Sequence, residues 1–462
     1  MNIATEPALA GLAAPAAEAY RARRERLLDH LASSGGVAIL CTAPAAIRNH
    51  DAEYPYRHDS SFYYLSGFAE PEAWLVLDGT SRETTLFCRA KNIEREIWEG
   101  FHYGPEAARE QFGFTTAYPI DELDTRLPEL LVHASSIHYA LGTSTELDAR
   151  VRGWLDAVRA KSRLGVIAPA VAYDVRTPVD EMRLHKDTHE LDIMRRAARI
   201  SAAAHIRAMQ ASRVGIHEYE LEAELLYEFR RQGAQSPAYG SIVASGANAC
   251  VLHYPAGNAA ARDGDLILID AACELDGYAS DITRTFPVNG RFSGPQRELY
   301  SIVLAAQQAA IEATRAGVSY DAPHDAAVRV LAQGMLDTGL LKHNEVGGLE
   351  DVIEHKTYRR FYMHSTSHWI GMDVHDVGDY FRPLPPGVPL PDGVRARRAL
   401  EPGMALTIEP GLYVRAAEDV PEAYWNIGIR IEDDALVTAQ GCELLTRDVP
   451  VEIEAIEHLM QR

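Results

Sequence analysis

Four acidic residues placed in apolar strand-like runs constrain this chain more than any other feature. Asp270 closes Leu266-Ile267-Leu268-Ile269, and Asp281 lies within Tyr278 to Phe286. Glu409 follows Ala405-Leu406-Thr407-Ile408, and Glu432 follows Ile427-Gly428-Ile429-Arg430-Ile431. Acids are almost never buried unless paired. One alone reads as a strand-end acid facing water. Four together read as buried charges, which must be paired or coordinate a metal.

The first two can be placed by geometry. Asp276-Gly277 is a strong hairpin-turn signal between two strands. With these two as the loop, Asp270 faces Thr283 and Asp281 faces Ala272. Asp281 and Thr283 are two apart and share a face. Asp270 and Asp281 are then diagonal neighbours, about 7–8 Å apart at Cα, and their carboxylates can converge.

Histidines supply the remaining donors. His364, His368 and His375 fall within the single stretch Met363 to Asp376, beside Trp369 and Gly371, and His253 lies in Leu252-His253-Tyr254. Four carboxylates carry −4, which two divalent cations cancel. An oxygen-rich set with one imidazole suits Mn²⁺ better than a structural zinc. Two ions about 3.5–4 Å apart can share a hydroxide, lower its pKa and clamp a substrate oxygen. The residues alone thus lead to a hydrolase with two metals, without naming the bond it cuts.

The rest of the chain sets the frame. Its 462 residues fit two or three domains. With 45 Lys+Arg against 66 Asp+Glu, a net charge of −21 disfavours nucleic-acid binding and docking on anionic membranes. No run is long and apolar enough to span a bilayer. The Ala-rich start, Met1 to Ala19, has no basic n-region or compact apolar h-region and reads as no signal peptide. Five cysteines, Cys41, Cys88, Cys250, Cys273 and Cys442, contain no C-x-x-C pair, which fits core residues in a reducing cytoplasm.

The first 175 or so residues alternate helix and strand signals, an α/β pattern. Expected helices are Ala17 to Leu31, Ile120 to Val132 and Ser144 to Arg163. Expected strands are Val37 to Leu40, Phe62 to Phe68, Ala73 to Leu77, Thr84 to Cys88 and Ile137 to Leu141. A boundary falls near Tyr173 to His185, dividing the chain into domains 1–176 and 177–462. Beyond it, Asp187 with Glu190 and Ser293 with Gln296 mark helix starts. Helices are also expected over His217 to Arg231 and Ala322 to Asp337, and strands over Ser241 to Ala244, Leu266 to Ala271, Tyr278 to Phe286, Ala405 to Glu409, Ile427 to Glu432 and Ala435 to Val437. Helix pair, strands, helix pair, strands reads as two similar halves.

At Leu268 to Phe286, Met363 to Gly378, Glu401 to Tyr413 and Gly428 to Asp434 the chain resembles aminopeptidase P, the Xaa-Pro aminopeptidases of the metal-dependent pita-bread peptidases. Asp51 to Arg57, with Phe62 to Phe68, is similar to that family's N-terminal domain. The resemblance implies an α/β N-terminal domain, serving oligomerisation and substrate access, plus an α+β pita-bread catalytic domain. It implies that Asp270 binds one metal, that His368 and Glu409 bind the other, and that Asp281 and Glu432 bridge them. His364, His375 and His253 would orient the substrate carbonyl and line a proline pocket. Arg430 would fix the Glu432 carboxylate, and Tyr413 would join the substrate wall. Trp98 resembles an aromatic that reaches a neighbouring subunit's active site, so a homo-oligomer, dimer or tetramer, is expected. Ser365 stands where the family has Gly, beside His364 and away from the ligands.

The implied reaction removes the first residue from a peptide with proline second, in the cytoplasm, with two divalent ions, Mn²⁺ foremost. A free amino group would anchor near Asp270, a bridging hydroxide would attack the carbonyl, His375 would help hold the oxyanion, and Glu409 would carry the proton to the leaving nitrogen. Two alternatives remain at this point: an Xaa-Pro dipeptidase on the same fold, and a metal-free pita-bread module that only binds peptides. A creatine-type amidinohydrolase lacks this ligand set.

Overall fold

The structure, a computed structural model, describes residues 14–383 and 395–461. The start of the Ala-rich segment, Met1 to Ala13, lies outside them. The chain divides at Arg183/Leu184 into two compact units.

The N-terminal unit is built on a six-stranded mixed sheet of β1 (Gly36–Cys41), β2 (Trp74–Asp78), β3 (Thr84–Cys88), β4 (Thr116–Pro119), β5 (Ser136–Tyr139) and β6 (Val171–Asp174), in the order β4-β3-β2-β1-β5-β6. β1, β2 and β3 pair antiparallel, while β3–β4, β1–β5 and β5–β6 pair parallel. Val37, Ile39, Phe87 and Ile137 of the sheet pack against Leu127 and Trp154 of helices Leu123–Leu130 and Thr145–Arg159. One expected strand is a helix. Phe62 to Phe68 forms Ser60–Ser66, capped by the Asp59 carboxylate, which accepts from the Phe62 N–H at 2.8 Å. Gly67, at φ 67°, closes it. The two caps outweigh the strand preference of the aromatic run. Helices Ile93–Glu99 and Gly104–Phe112, of 7 and 9 residues, and the four-residue strands β4 and β6 are too short for their period to stand out in the sequence.

The C-terminal unit repeats its pattern. Helices Thr188–Ala211 and Glu218–Arg231 precede the antiparallel strands β7 (Ile242–Ser245), β8 (Leu266–Asp270) and β9 (Thr283–Pro287). Helices Gly294–Ala313 and Ala322–Asp337 precede the antiparallel Ala405–Ile408, Asp433–Val437 and Cys442–Leu444. The Asp187/Glu190 and Ser293/Gln296 capping boxes are both formed. The halves meet where the Glu432 N–H donates to the Thr283 carbonyl at 3.0 Å.

The hairpin register is the one the turn dictates. Asp276 (φ 50°) and Gly277 (φ 79°) are both left-handed, and Leu275 pairs with Tyr278 and Asp270 with Thr283. The expected run Tyr278 to Phe286 is broken into Tyr278–Ala279 and β9, because the Asp281 N–H leaves the ladder and donates to Asp434 Oδ2 at 3.0 Å. All five cysteines are free, and no described helix is long and apolar enough to cross a membrane.

Strands Gly411–Val414 and Ile427–Arg430 pair antiparallel, and Gly428 sits directly over the chain at Ala249. A Cβ there would lie 2.3 Å from the Ala249 carbonyl oxygen, a backbone atom that cannot turn aside. Gly428→Ala should therefore cost about 1–3 kcal/mol of stability, read as a lower thermal unfolding midpoint. An unchanged midpoint would show that the close approach is not tight.

Candidate metal centre

Asp270 at the end of β8, Asp281 in the break before β9, Glu409 after Ala405–Ile408 and Glu432 after Ile427–Arg430 all reach one cleft of about 820 Å³ in the C-terminal unit. His253, His364, His368 and His375 line the same cleft. Asp281 and Glu432 are 5% and 2% exposed, so these carboxylates have left water. Asp281, His368 and Glu432 each offer one donor atom, all within 4.8 Å of one another. His368 Nε2 lies 3.5 Å from Asp281 Oδ2 and 3.7 Å from Glu409 Oε1. Its Nδ1 donates to the Trp369 carbonyl at 2.9 Å, which turns Nε2 toward the carboxylates.

The convergence of Asp270 and Asp281 is real, and a residue the sequence did not mark shows it. The Tyr239 hydroxyl reaches Asp270 Oδ1 at 2.6 Å and also bonds Asp281 Oδ1. Tyr239 precedes β7 with no charge or motif around it, so only the fold reveals it. Asp434, whose Oδ2 accepts from the Asp281 N–H, is likewise indistinguishable in the sequence from the acids around it after Ile431.

Arg430 corrects the expectation set for it. Its guanidinium donates to Asp270 Oδ2 at 2.6 Å, to Thr283 Oγ1 at 3.1 Å and to the Tyr413 hydroxyl at 2.9 Å, not to Glu432. Glu432 instead accepts from Thr283 Oγ1 at 2.5 Å. The bridge between the halves puts Thr283 between the two side chains, so Arg430 reaches Glu432 only through that hydroxyl. Tyr413 is a second correction. It is 2% exposed and does not line the cleft, because its hydroxyl is taken up between Arg430 and His364 Nε2, the latter at 2.8 Å. His364 Nδ1 in turn donates to the Ser365 carbonyl at 2.8 Å. Trp98, in the N-terminal unit, is 88% exposed on helix Ile93–Glu99.

Electrostatics point the same way. Burial raises the carboxyls of Asp270, Glu409 and Glu432, with the neighbouring carboxylates adding to the rise. Glu409 is pushed up to about 7. Burial lowers the His368 imidazole, but the Asp281 and Glu409 carboxylates outweigh it and hold it at about 9. Four acids against one Arg and one His leave a deficit of positive charge at the site. The donor set is oxygen-rich with one outward imidazole nitrogen, and it fits divalent cations of the hard class.

Known proteins give the same architecture. Residues 192–439 match metallopeptidase family M24, and residues 20–138 match the aminopeptidase P N-terminal domain. The chain is 44% identical to the Xaa-Pro aminopeptidase of Escherichia coli K12, over 96% of this chain and 97% of that one. The structure of Pseudomonas aeruginosa aminopeptidase PepP superposes with a TM-score of 0.90 at 46% identity, covering 96% of this chain and 98% of the other. A zinc-substituted Escherichia coli aminopeptidase P in complex with product superposes with a TM-score of 0.89 at 43% identity, covering 96% and 98%. The chain is a metallopeptidase, with the pita-bread fold in its C-terminal unit, and it belongs to the aminopeptidase P family.

One ion pair braces the histidine stretch. Lys186 Nζ lies 2.9 Å from Asp376 Oδ2, and both side chains are sealed from water at 0% and 1% exposure. Asp376 follows His375 directly, and its N–H donates to the Trp369 carbonyl at 2.9 Å. Lys186→Met takes the ammonium from a buried carboxylate and should cost about 3–5 kcal/mol in denaturant unfolding. A loss below about 1 kcal/mol would mean that Asp376 does not depend on Lys186.

Proposed function

We propose that this protein is a cytoplasmic Xaa-Pro aminopeptidase that removes the N-terminal residue from peptides with proline second, using two divalent ions. The observation that carries the reading is the convergence of Asp270, Asp281, Glu409 and Glu432 with His368 in one cleft. The Xaa-Pro aminopeptidase name of the 44% identical Escherichia coli relative supports the substrate class. Asp270 would hold one ion, His368 and Glu409 the other, and Asp281 and Glu432 both. The oxygen-rich set favours Mn²⁺. Five free cysteines support a reducing compartment.

When bound, the ions would supply an activated hydroxide and a positive clamp for the scissile carbonyl oxygen. The protein supplies the rest. The carboxylate end of the cleft, at Asp270, receives the free amino group of residue one. His375, whose ring lies 4.3 Å from that of His368, donates to the developing oxyanion. His364 and His253 orient the carbonyl and bound the proline ring. His364 is held for that task by the hydrogen bonds to Tyr413 and Ser365. Glu409 delivers the proton to the leaving proline nitrogen. Tyr413 and Arg430 act as positioning residues behind this surface. The N-terminal unit serves assembly and substrate access in a homo-oligomer, a dimer or tetramer, to which Ile93, Ile97 and Trp98, 75%, 78% and 88% exposed, offer apolar surface.

Proline has a fixed φ and no N–H, so a ring pocket need not satisfy a backbone donor. An ordinary second residue brings an N–H that such a pocket leaves unpaired, at about 1–3 kcal/mol, or roughly ten- to a hundredfold. With Mn²⁺ supplied, Xaa-Pro-Yaa should be cut efficiently, Xaa-Ala-Yaa little, and N-acetylated Xaa-Pro-Yaa not at all. A chelator should abolish all turnover. Product analysis of the three peptides checks this. Cleavage of the acetylated peptide at a comparable rate would contradict amine anchoring, and turnover of only the dipeptide Xaa-Pro would make the enzyme a dipeptidase.

A further inference from the structure

Residues 251–261 form no helix or regular strand, yet they carry His253, Leu252, Pro255 and Ala256 to the wall of the cleft. His253 is exposed and, among the described residues, makes no hydrogen bond, so its position depends on what fixes the chain around it. A chain without regular hydrogen bonding has to find partners elsewhere for its backbone and polar groups.

Glu218 provides them. It is the first residue of helix Glu218–Arg231, and it is only 1% exposed. Its Oε1 accepts from the Ser245 N–H at 2.8 Å, from Ser245 Oγ at 2.9 Å and from Asn248 Nδ2 at 2.9 Å. Its Oε2 accepts from the Tyr254 hydroxyl at 3.0 Å and from the Gly257 N–H at 3.3 Å. All five donors belong to 245–257. The helix start adds two backbone ties, Glu218 N–H to the Ala259 carbonyl and Tyr219 N–H to the Gly257 carbonyl, each 3.1 Å. Among the described residues no Lys, Arg or His forms an ion pair with Glu218. Its buried charge is stabilised by neutral donors and by its place in the first helical turn. The site is crowded as well. A Cβ at Gly257 would lie 3.0 Å from the Tyr254 hydroxyl oxygen and 3.2 Å from Glu218 Oε2.

A buried carboxylate without a cation is costly for stability alone, where an apolar side chain would pack as well. Its geometry accounts for its presence. Two oxygens accept from three points along an irregular segment, at 245, 248 and 254–257, and those points straddle His253. We propose that Glu218 is a positioning residue, whose carboxylate fixes segment 245–257 and thereby holds His253 and its neighbours in place against the bound peptide. This rests on the Xaa-Pro aminopeptidase reading for its kinetic arm, but not for its structural one.

Glu218→Gln is nearly isosteric, yet it puts an amide NH2 where one set of donors points. In the metal-loaded enzyme it should raise KM for Xaa-Pro-Yaa about tenfold, with kcat within about threefold and metal content unchanged. Amide exchange of residues 249–257 should quicken about tenfold. In a His253→Ala background the same substitution should change KM by less than about twofold, because the shared effect is already lost. Tyr254→Phe removes one donor and should shift KM and exchange in the same direction by less, which serves if the Gln variant does not fold. Unchanged KM and exchange, or a full additional effect in the His253→Ala background, would overturn the proposal. If the parent enzyme cuts no Xaa-Pro peptide, the functional reading fails, and the exchange data alone then decide whether Glu218 fixes the segment.

Discussion

The mutual repulsion of Asp270, Asp281, Glu409 and Glu432 gathered in one cleft organises the catalytic unit. Acids this close in a low-dielectric space resist sharing full charge, and the raised carboxyls of Asp270, Glu409 and Glu432 reflect burial first, with neighbouring carboxylates adding to it. The surroundings answer with donors placed one by one: Tyr239 across Asp270 and Asp281, Arg430 on Asp270, Thr283 on Glu432, and His368 facing Asp281 and Glu409. The bridge between Glu432 and Thr283 brings the two halves together and makes the cluster possible. Neither half holds all four acids. Asp270 and Asp281 come from the first set of strands, and Glu409 and Glu432 from the second.

Behind the acids a second layer keeps aim. Arg284 is sealed from water with Asp433, and it also donates to the Glu432 and Val449 carbonyls, which pins β9 to the segment that carries Glu432. Lys186 and Asp376 do the same beneath His375. Arg430, Tyr413 and His364 run in series from Asp270 to the cleft wall. Such layers restrict where each donor can point, and a cation site needs that more than it needs rigidity elsewhere.

Much of this could be read in the residues alone, for identifiable reasons. Asp276-Gly277 admits one tight turn, so the pairing of Asp270 with Thr283 followed without knowledge of the fold. Acids in apolar runs are rare enough to mark themselves, and the capping boxes at Asp187 and Ser293 formed as their spacing required. The features that the residues do not disclose depend on contacts between distant segments. Arg430 and Glu432 are two residues apart in the sequence, yet the bridge to Thr283 gives Arg430 to Asp270. Tyr239 acts through partners 31 and 42 residues away and Glu218 through partners 27 to 39 residues away, with nothing in their local pattern to announce it. In Phe62 to Phe68 the aromatic content points to a strand, whereas the Asp and Gly at its ends cap a helix.

The central claim is that these acids exist to hold cations. Elemental analysis of the purified, Mn²⁺-loaded protein tests it most directly, alongside Glu432→Gln and His364→Ala. Two divalent ions per chain are expected for the parent and for His364→Ala, with fewer than two for Glu432→Gln. Equal metal content in all three, or full peptidase activity in protein shown to be metal-free, would contradict the account.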